Sequence, residues 1–193
     1  QEKGTNSGFE HQNIEERIKP KLLLDNAKTI ISIAVAYPNK LPQLPGKSPY
    51  KRGKFSSSSW GVDYHTILTE KMARLSERIA ELTDDFDHKA MVDTGALVDT
   101  AVARRAGIGF IGKNGLVISK EYGSYMFVGE LITNLDIEPD SPVDYGCGDC
   151  DHCITSCPTD ALNGDSTMNA KRCLSFQTQK KGPLDEEFRV KMK

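Results

Sequence analysis

Four of the five cysteines stand close together, in a spacing that suits an iron–sulfur cluster. They are Cys147, Cys150, Cys153 and Cys157, with Pro158 directly after the last, and Cys173 follows sixteen residues later. Thiolates are soft ligands, and a Cys-x2-Cys-x2-Cys-x3-Cys-Pro run is typical of modules that bind iron–sulfur clusters. A structural zinc site more often uses two separated pairs of ligands. We therefore predict that all five cysteines are cluster ligands.

The way in which two-cluster modules are built predicts which cysteines belong together. In such modules the fourth cysteine of the run binds the other cluster. We therefore expect Cys147, Cys150 and Cys153 to share one cluster, and Cys157 and Cys173 to belong to a second. Each four-iron cluster takes four thiolates, so five cysteines do not complete two clusters. Either the remaining ligands lie beyond this chain, which we favour, or one cluster does not form.

A second candidate for chemistry is the carboxylate of Asp93, in the segment Val92-Asp93-Thr94-Gly95. The residues before it predict a short strand, and ligands in folds of mixed helix and strand gather at strand ends. Asp93 is therefore a candidate acid or base. An equally weighted alternative is that Asp93 caps the next helix. None of the four histidines has the partner four residues away that a helical metal pair requires.

The glycine-rich segment 107–115 matches two phosphate-binding patterns. Gly107-x-Gly109-x-x-Gly112 fits the dinucleotide fingerprint, and Gly107-x4-Gly112-Lys113 fits the triphosphate loop except that Asn114 replaces its hydroxyl residue. Both patterns require a strand before them and a helix after them. Here a helix precedes and a strand follows, so we reject both. Two alternatives stay open: a loop whose backbone approaches a large ligand, with Lys113 at its edge, or a plain turn.

The elements that would position these residues can be read from hydrophobic spacing and turn residues. An apolar run at 29–37 predicts a strand buried on both faces. Apolar residues at 64–82 recur at helical spacing behind Asp63, which we predict to be the N-cap. The remaining predictions are an N-terminal arm with one helical turn (1–20), a long Pro/Ser loop (38–61), strands at 89–93, 116–119 and 125–133, a helix at 97–106 ended by Gly107, a turn at 121–123 and a domain boundary near 138.

Composition narrows the class of protein. The 193 residues carry a net charge of -2, with 38% hydrophobic and 27% charged residues, which excludes wholesale disorder. No apolar run approaches the ~20 residues of a membrane span, and near-zero charge argues against a nucleic-acid footprint over the whole chain. The odd cysteine count and the lack of a signal sequence favour a reducing compartment. We expect a cytoplasmic monomer without a membrane segment.

Several of these segments occur in an order that resembles the epoxyqueuosine reductase family. They are Asp63-Tyr64-His65, Val92-Asp93-Thr94-Gly95, Arg104-Arg105-Ala106-Gly107-x-Gly109, Gly112-Lys113-Asn114, Gly129-Glu130-Leu131 and the cysteine run. The resemblance covers the chain from about Phe9 to its end. It implies an enzyme that reduces the epoxide of epoxyqueuosine at the tRNA wobble position to give queuosine. Cobalamin would carry the reaction, and electrons from an external one-electron donor would pass through two 4Fe-4S clusters.

The resemblance also implies an α+β architecture. Residues 1–138 would form a nitroreductase-like cobalamin-binding domain, and residues 139–193 part of a ferredoxin-like iron–sulfur module. The helical repeats with which the family grips tRNA have no counterpart here, and about forty residues of the family's N-terminal part also have none. We therefore expect this chain to be a central piece of a protein of nearly twice its length.

Individual positions take their roles from the same resemblance. Asp93 matches the carboxylate proposed as proton donor beside cobalt. The positions that match segments lining the cobalamin pocket are Arg17, Ser56, Asp93, Lys113, Asn114, Val117, Val128 and Lys181. The chain departs from the family pattern at Thr100, Ser57 and Ser58, where relatives often carry charged or aromatic residues, so any nucleic-acid contact made there would be weaker or moved.

Two other functions remain open at the level of sequence. One is a reductive dehalogenase-like corrinoid protein, which would share the cluster module. The other is an electron-transfer ferredoxin subunit without an active site, in which Asp93 and both loops would be scaffold only. Binding of cobalamin would separate the ferredoxin subunit from the two corrinoid enzymes.

Overall fold

The fold is built on a three-stranded antiparallel sheet in which β5 (Met126–Thr133) lies between β1 (Thr29–Ala36) and β2 (His88–Met91). A computed structural model describes residues 4–38, 40, 49–50 and 55–192. Most of the predicted Pro/Ser loop therefore lies outside the described residues. The register places Glu130 of β5 opposite Ser32 on one side and Met91 on the other. Side chains of directly opposed residues share one face of a sheet, so these three point the same way.

The prediction that the first strand is buried on both faces is wrong. Every residue of β1 is half-buried or exposed, and Ala34 and Ala36 are exposed. The buried strand is β5, whose last five residues, 129–133, are all buried. The apolar run of β1 misled because β1 pairs with only one strand among the described residues, and an antiparallel edge strand can leave part of one face open.

The long helix α2 (Tyr64–Ala80) covers one face of the sheet. Its N-cap is Asp63, as predicted, since the Asp63 carboxylate accepts the backbone N–H of His65 at 2.9 Å. Leu68 and Met72 are fully buried and pack with Val92. The helix ends two residues earlier than predicted, and Leu82 is 85% exposed, so it does not belong to the apolar face.

The shorter helix α3 (Asp99–Arg105) covers the other face. Its core contacts are Met91, Leu97 and Ile132, with Val102 of α3 packed against them. Gly107 follows the C-cap with a φ of +72°, as predicted for a glycine that ends a helix. Helices therefore lie on both faces of the sheet, which confirms the mixed helix-and-strand class.

A second, two-stranded sheet lies inside the glycine-rich region. β3 (Phe110–Ile111) pairs with β4 (Val117–Ile118) in antiparallel register. The predicted strand at 116–119 is confirmed as β4, but β3 was missed because two residues between glycines give no periodicity to read. The predicted turn after β4 is present, closed by two hydrogen bonds between Ser119 and Gly123.

The helices described in the cysteine-bearing part are short. They are α4 (His152–Thr155), α5 (Leu174–Gln179) and α6 (Glu186–Arg189). The N-terminal arm forms the predicted single helical turn, α1 (Ile14–Ile18), and reaches this part: Thr5 accepts the N–H of Ala170 at 2.9 Å. Three-residue 3-10 turns lie at Pro20–Leu22, Ser57–Ser59 and Ala170–Arg172. Among the described residues, no helix has the length and apolar character needed to cross a membrane.

Candidate active site and cluster-binding cysteines

Asp93 lies two residues beyond β2, at the strand end where its carboxylate was predicted to lie. Its backbone is in the left-handed region, with a φ of 55°, which few residues other than glycine, asparagine and aspartate adopt. The side chain is 63% exposed, and its Oδ2 accepts a hydrogen bond from the hydroxyl of Tyr64 at 2.8 Å. Asp93 does not cap α3, because the N-cap there is Val98, without a side-chain hydrogen bond. The helix-cap alternative is therefore wrong.

Tyr64 and His65 of α2, which the sequence did not assign to the site, both contact Asp93. His65 Nε2 lies 3.6 Å from Asp93 Oδ2, and His65 Nδ1 lies 2.7 Å from Asp63 Oδ1. The backbone and side-chain hydrogen bonds from His65 lower the pKa of Asp63. The side chains of Asp63, His65 and Asp93 thus form a polar chain that begins at the exposed start of α2. Its only signal in the sequence is the adjacency of Asp63, Tyr64 and His65 at a predicted helix start.

Tyr64 is fixed by its neighbours, so its hydroxyl has a defined position. Its ring stacks on Phe127 of β5 with centroids 4.2 Å apart and an interplanar angle of 10°. Burial, followed by the hydrogen bond to Asp93, raises the pKa of Tyr64 above its usual value. Tyr64 therefore keeps its proton at neutral pH and acts as a hydrogen-bond donor to the carboxylate.

Two further carboxyl groups, of Glu130 and Asp99, are close enough to Asp93 for its charge to raise their pKa values. Glu130 is fully buried, and neither of its carboxyl oxygens has a hydrogen-bond partner within the described part of the chain. Burial, with smaller contributions from the charges of Asp99 and Asp93, raises the pKa of Glu130 to about 8. Burial and the charge of Asp93 also raise the pKa of Asp99. Ser32, opposite Glu130, likewise has a buried hydroxyl without a partner among the described residues.

Glu130 makes the stability of the fold depend on pH. Its pKa is raised from 4.5 to about 8, so above 4.5 the unfolded chain ionises while the folded one stays protonated. The free energy of unfolding therefore falls as the pH rises through this window. We expect Glu130→Gln, which is neutral at every pH, to be more stable than the parent by roughly 2–5 kcal/mol above about pH 8, with little difference near pH 4.5.

Urea unfolding of the cluster-free chain at both ends of this pH window measures the effect. Glu70→Gln, at an exposed position of α2, is the matched control and should follow the parent at every pH. The parent should lose more stability than the Glu130→Gln variant when the pH is raised. If both lose the same free energy of unfolding, the fold does not hold Glu130 neutral.

The five cysteines are not joined in disulfides. All five are free thiols; Cys150 is exposed and the other four are half-buried. The sulfur of Cys157 accepts the backbone N–H of Ala161 at 3.3 Å. Burial acts to raise the pKa of Cys157, but hydrogen bonds from the backbone of Ala161 and Thr159 lower it overall. A thiol stabilised as thiolate by amide donors fits an iron–sulfur ligand.

The thiol positions do not describe a site for a single metal ion. Among the described residues, no three His, Cys, Asp or Glu side chains converge closely enough to hold one ion. A four-iron cluster spreads its thiolates over separate iron atoms, so its ligands need not converge on one point. The soft donor set and the hydrogen bonds to sulfur are therefore the features that fit a cluster.

The glycine-rich segment is a tight hairpin and not a phosphate loop. A Cβ atom on Gly109 would lie 2.4 Å from the carbonyl oxygen of Ile118, and one on Gly112 would lie 2.5 Å from the Ile118 side chain. Gly109 is thus required by the close approach of the β4 backbone, whereas a side chain at Gly112 would need only the Ile118 and Asn114 side chains to shift. The helix before the segment and the strand after it are confirmed, which supports rejection of both nucleotide patterns.

The predicted cobalamin-binding residues are spread over several elements. Val117 is buried in β4, and Asn114 accepts the N–H of Leu116 at 3.1 Å within the hairpin turn. Val128 lies opposite Ala34, on the sheet face that also carries Glu130. The others are half-buried Arg17 in α1, Ser56 at the start of a 3-10 turn, and exposed Lys181 after α5. No described contact joins these last three to the hairpin.

Two clefts adjoin the central sheet. One, of about 460 Å³, is lined by His65 and by Thr94 and Gly95 of the Asp93 loop, with His11 and Glu16 from the arm. The other, of about 380 Å³, is lined by Ala34 and Ala36 of β1 together with Met126, Ser119 and Tyr145. The first cleft opens directly beside Asp93. The second exposes small apolar side chains, against which a large ligand could pack.

Comparison with known protein families first defines the class. Residues 146–193 match the family model described as 4Fe-4S double cluster binding domain, so the chain carries an iron–sulfur module of the two-cluster type. Residues 17–94 match the model described as Epoxyqueuosine reductase QueG, DUF1730.

Individual relatives agree with both models. The chain is 62% identical over 192 residues to epoxyqueuosine reductase of Lactococcus garvieae, covering 100% of this chain and 55% of the relative. It is 51% identical to that of Listeria monocytogenes, covering 95% and 48%. The chain is therefore similar to epoxyqueuosine reductases over 95–100% of its own length. It spans about half the length of the curated relatives it matches.

Solved structures give the same result. An epoxyqueuosine reductase from Streptococcus thermophilus superposes with a TM-score of 0.95 at 70% identity, over 98% of this chain and 51% of that one. A second, which contains an epoxyqueuosine-modified tRNA-Tyr stem loop, gives a TM-score of 0.94 at 48% identity, over 98% and 51%. A third, from Bacillus subtilis, has its aspartate-bearing catalytic loop swung out of the active site, with a TM-score of 0.93, 46% identity and coverage of 98% and 50%.

Proposed function

We propose that this chain provides the reaction centre for reduction of the epoxide of epoxyqueuosine in tRNA to the alkene of queuosine. The observation that carries the proposal is Asp93: an exposed carboxyl group at a strand end, fixed by Tyr64 and His65, in a chain that also carries five free cysteines. The substrate assignment is supported by the related structure that contains an epoxyqueuosine-modified stem loop.

The chemistry requires electrons and protons from different parts of the chain. Conversion of an epoxide to an alkene consumes two electrons and two protons and releases water. Cobalamin, when bound, supplies the reactivity toward the epoxide carbon, which no protein side chain can provide. The clusters would relay single electrons from an external donor. The protein's own contribution is to deliver a proton to the departing oxygen.

We assign the proton donor to Asp93 and its positioning to Tyr64 and His65. Both partners contact Oδ2, so we assign Oδ1 to delivery of the proton. Reprotonation would follow the polar chain through His65 to Asp63, whose side chain is 66% exposed to solvent. The loop that carries Asp93 connects β2 to α3 without regular structure, which would allow it to move as the catalytic loop of the Bacillus subtilis relative does.

Cobalamin would lie between the Asp93 loop and the face of β1 and β5 that exposes Ala34 and Ala36. Val128 lies on this face, and Ser119 and Lys120, which follow β4, line the cleft beside it. The unpartnered buried oxygens of Ser32 and Glu130 on the same face fit a ligand with amide donors at its rim. Arg17, Ser56 and Lys181 would complete the pocket at its edges.

The domain division follows from the same assignment. Residues 1–138 would form the nitroreductase-like cobalamin-binding domain, since the sheet and its two covering helices lie within this range. Residues 139–193 would form the ferredoxin-like module that holds part of both clusters. The cytoplasm, where tRNA is modified and thiols stay reduced, is the compartment that suits this function.

Spectroscopy of the anaerobically reconstituted full-length protein tests the proposal. We expect added cob(II)alamin to give a saturable change in the corrin absorption bands, and an epoxyqueuosine-modified stem loop to be converted to queuosine in a single turnover, read by mass spectrometry of the nucleosides. Cluster absorption without corrin binding would instead show an electron-transfer ferredoxin subunit. Corrin binding with reduction of an organohalide, but not of the stem loop, would show a dehalogenase.

A further inference from the structure

Lys113 joins the β3–β4 hairpin to the first cluster-binding loop through three hydrogen bonds. Its ammonium group donates to the carbonyl of Gly148 at 2.9 Å and to that of Cys150 at 3.0 Å. Its backbone N–H donates to the sulfur of Cys147 at 3.4 Å. Lys113 thus contacts the loop 147–150 at its first cysteine, at its glycine and at its second cysteine.

The hairpin holds Lys113 in a fixed position. The residue lies in a turn closed by hydrogen bonds from Gly112 N–H to Leu116 and from Gly115 N–H to Gly112, both 2.8 Å long. The side chains of Ile118 and Asn114 pack directly against Gly112, and Gly115 has a φ of +79°. A turn so constrained leaves the Lys113 backbone little freedom, so its side chain reaches the loop from a rigid base.

A second contact brings the same two segments together just before the loop. The ring of Tyr145 packs edge-on against Phe110 of β3, with centroids 5.6 Å apart, and its hydroxyl accepts the N–H of Lys120 at 3.1 Å. The chain entering Cys147 is therefore anchored to the hairpin independently of Lys113. The contact made by Lys113 extends this anchorage onto the cluster ligands themselves.

The charge of Lys113 acts where an added electron would be placed. The exposed neighbours Asp149 and Asp151 are both acidic, and cluster thiolates add further negative charge. Reduction puts one more negative charge on the cluster. An ammonium group bonded to the carbonyls of its loop stabilises that charge, and hydrogen bonds to ligand sulfur act in the same direction.

We propose that Lys113 is a positioning residue that fixes the loop 147–150 on the β3–β4 hairpin and raises the reduction potential of the cluster held by Cys147, Cys150 and Cys153. The step concerned is the one-electron reduction of that cluster by an external reductant, in which no covalent bond is made or broken. The proposal rests on the cluster-binding part of the proposed function and is independent of the epoxide chemistry. It gives the glycine-rich segment a role that neither nucleotide pattern explained.

Redox titration of the full-length holoprotein tests the proposal, with dithionite as reductant and paramagnetic resonance as the readout for each cluster. We expect Lys113→Met, which keeps the length and removes the charge, to reduce the equilibrium constant for reduction of this cluster about tenfold, which corresponds to a midpoint about 59 mV lower. Amide hydrogens at 146–151 should exchange faster. Lys113→Arg should restore most of the potential, and Lys120→Met, at an exposed position beyond the same hairpin, should match the parent.

An unchanged potential and unchanged exchange in Lys113→Met would overturn the proposal. If Lys113→Met loses the cluster while Lys120→Met keeps it, the role of Lys113 in fixing the loop is supported. The reduction potential is then measured on Lys113→Gln, which keeps an N–H donor but has no charge. An unaltered potential in Lys113→Gln would overturn the electrostatic role. The titration contains neither tRNA nor added cobalamin, so a failure of the proposed epoxide reduction leaves this result unaffected.

Discussion

Asp93→Asn is expected to lower single-turnover reduction of the epoxide by about 10²- to 10⁴-fold, the range that a positioned general acid contributes. The amide keeps the size of the carboxyl group and can still accept the Tyr64 hydrogen bond, but it has no transferable acidic proton. Binding of cobalamin and clusters should be unchanged, because the amide has nearly the same size and shape as the carboxyl group.

The measurement is the rate of queuosine formation in the full-length protein, pre-reduced and mixed with an excess of modified stem loop. Asp84→Asn, an exposed aspartate in the turn after α2, is the control and should react at the parent's rate. Corrin absorption and iron content, measured on the same samples, show whether the cofactors are retained. A parent-like single-turnover rate in Asp93→Asn would mean that another group supplies the proton.

The sequence predicted those parts of the site that depend on local chemistry. The Asp63 cap could be read from residue type and position, since an N-cap bonds to a backbone N–H two residues away. Gly107 could be read in the same way as a helix end. The position of Asp93 at a strand end needed only the short apolar run before it. Such features are determined within about one helical turn of chain.

The features that the sequence did not predict depend on pairing between distant segments. Tyr64 and His65 meet Asp93 across 29 and 28 positions of chain, because α2 packs on the sheet face beside β2. The contact of Lys113 with the cysteine loop spans 35 positions to Gly148. Hydrophobic periodicity carries no information about such pairings.

Burial was misjudged for the same reason. The apolar run of β1 and that of β5 look alike in sequence, yet β5 is central and β1 lies at the edge of the described sheet. Which strand is central depends on the order of strands, which a single apolar run does not reveal. The exposure of β1 matters for the proposed function, because Ala34 and Ala36 line the cleft that we assign to cobalamin.

Serine substitutions of the cysteines are expected to divide into two groups. Cys147→Ser, Cys150→Ser and Cys153→Ser should each damage one cluster, whereas Cys157→Ser and Cys173→Ser should damage the other, because the fourth cysteine of the run serves the second cluster in two-cluster modules. The structure gives the two groups different surroundings. Cys147 accepts a hydrogen bond from the hairpin at Lys113, whereas Cys157 accepts one from Ala161 in its own segment.

Each variant of the first group should lose about half of the bound iron, and the paramagnetic signal that remains after reduction should be the same for all three. The second group should retain the complementary signal. Ser156→Ala, between the two groups in sequence and exposed, is the control and should keep both signals. The decisive pair is Cys153→Ser and Cys157→Ser, which are close in sequence but are assigned to different clusters. If these two variants lose the same signal, all four cysteines of the run bind one cluster, and the charge of Lys113 beside Cys147 would then act on that cluster.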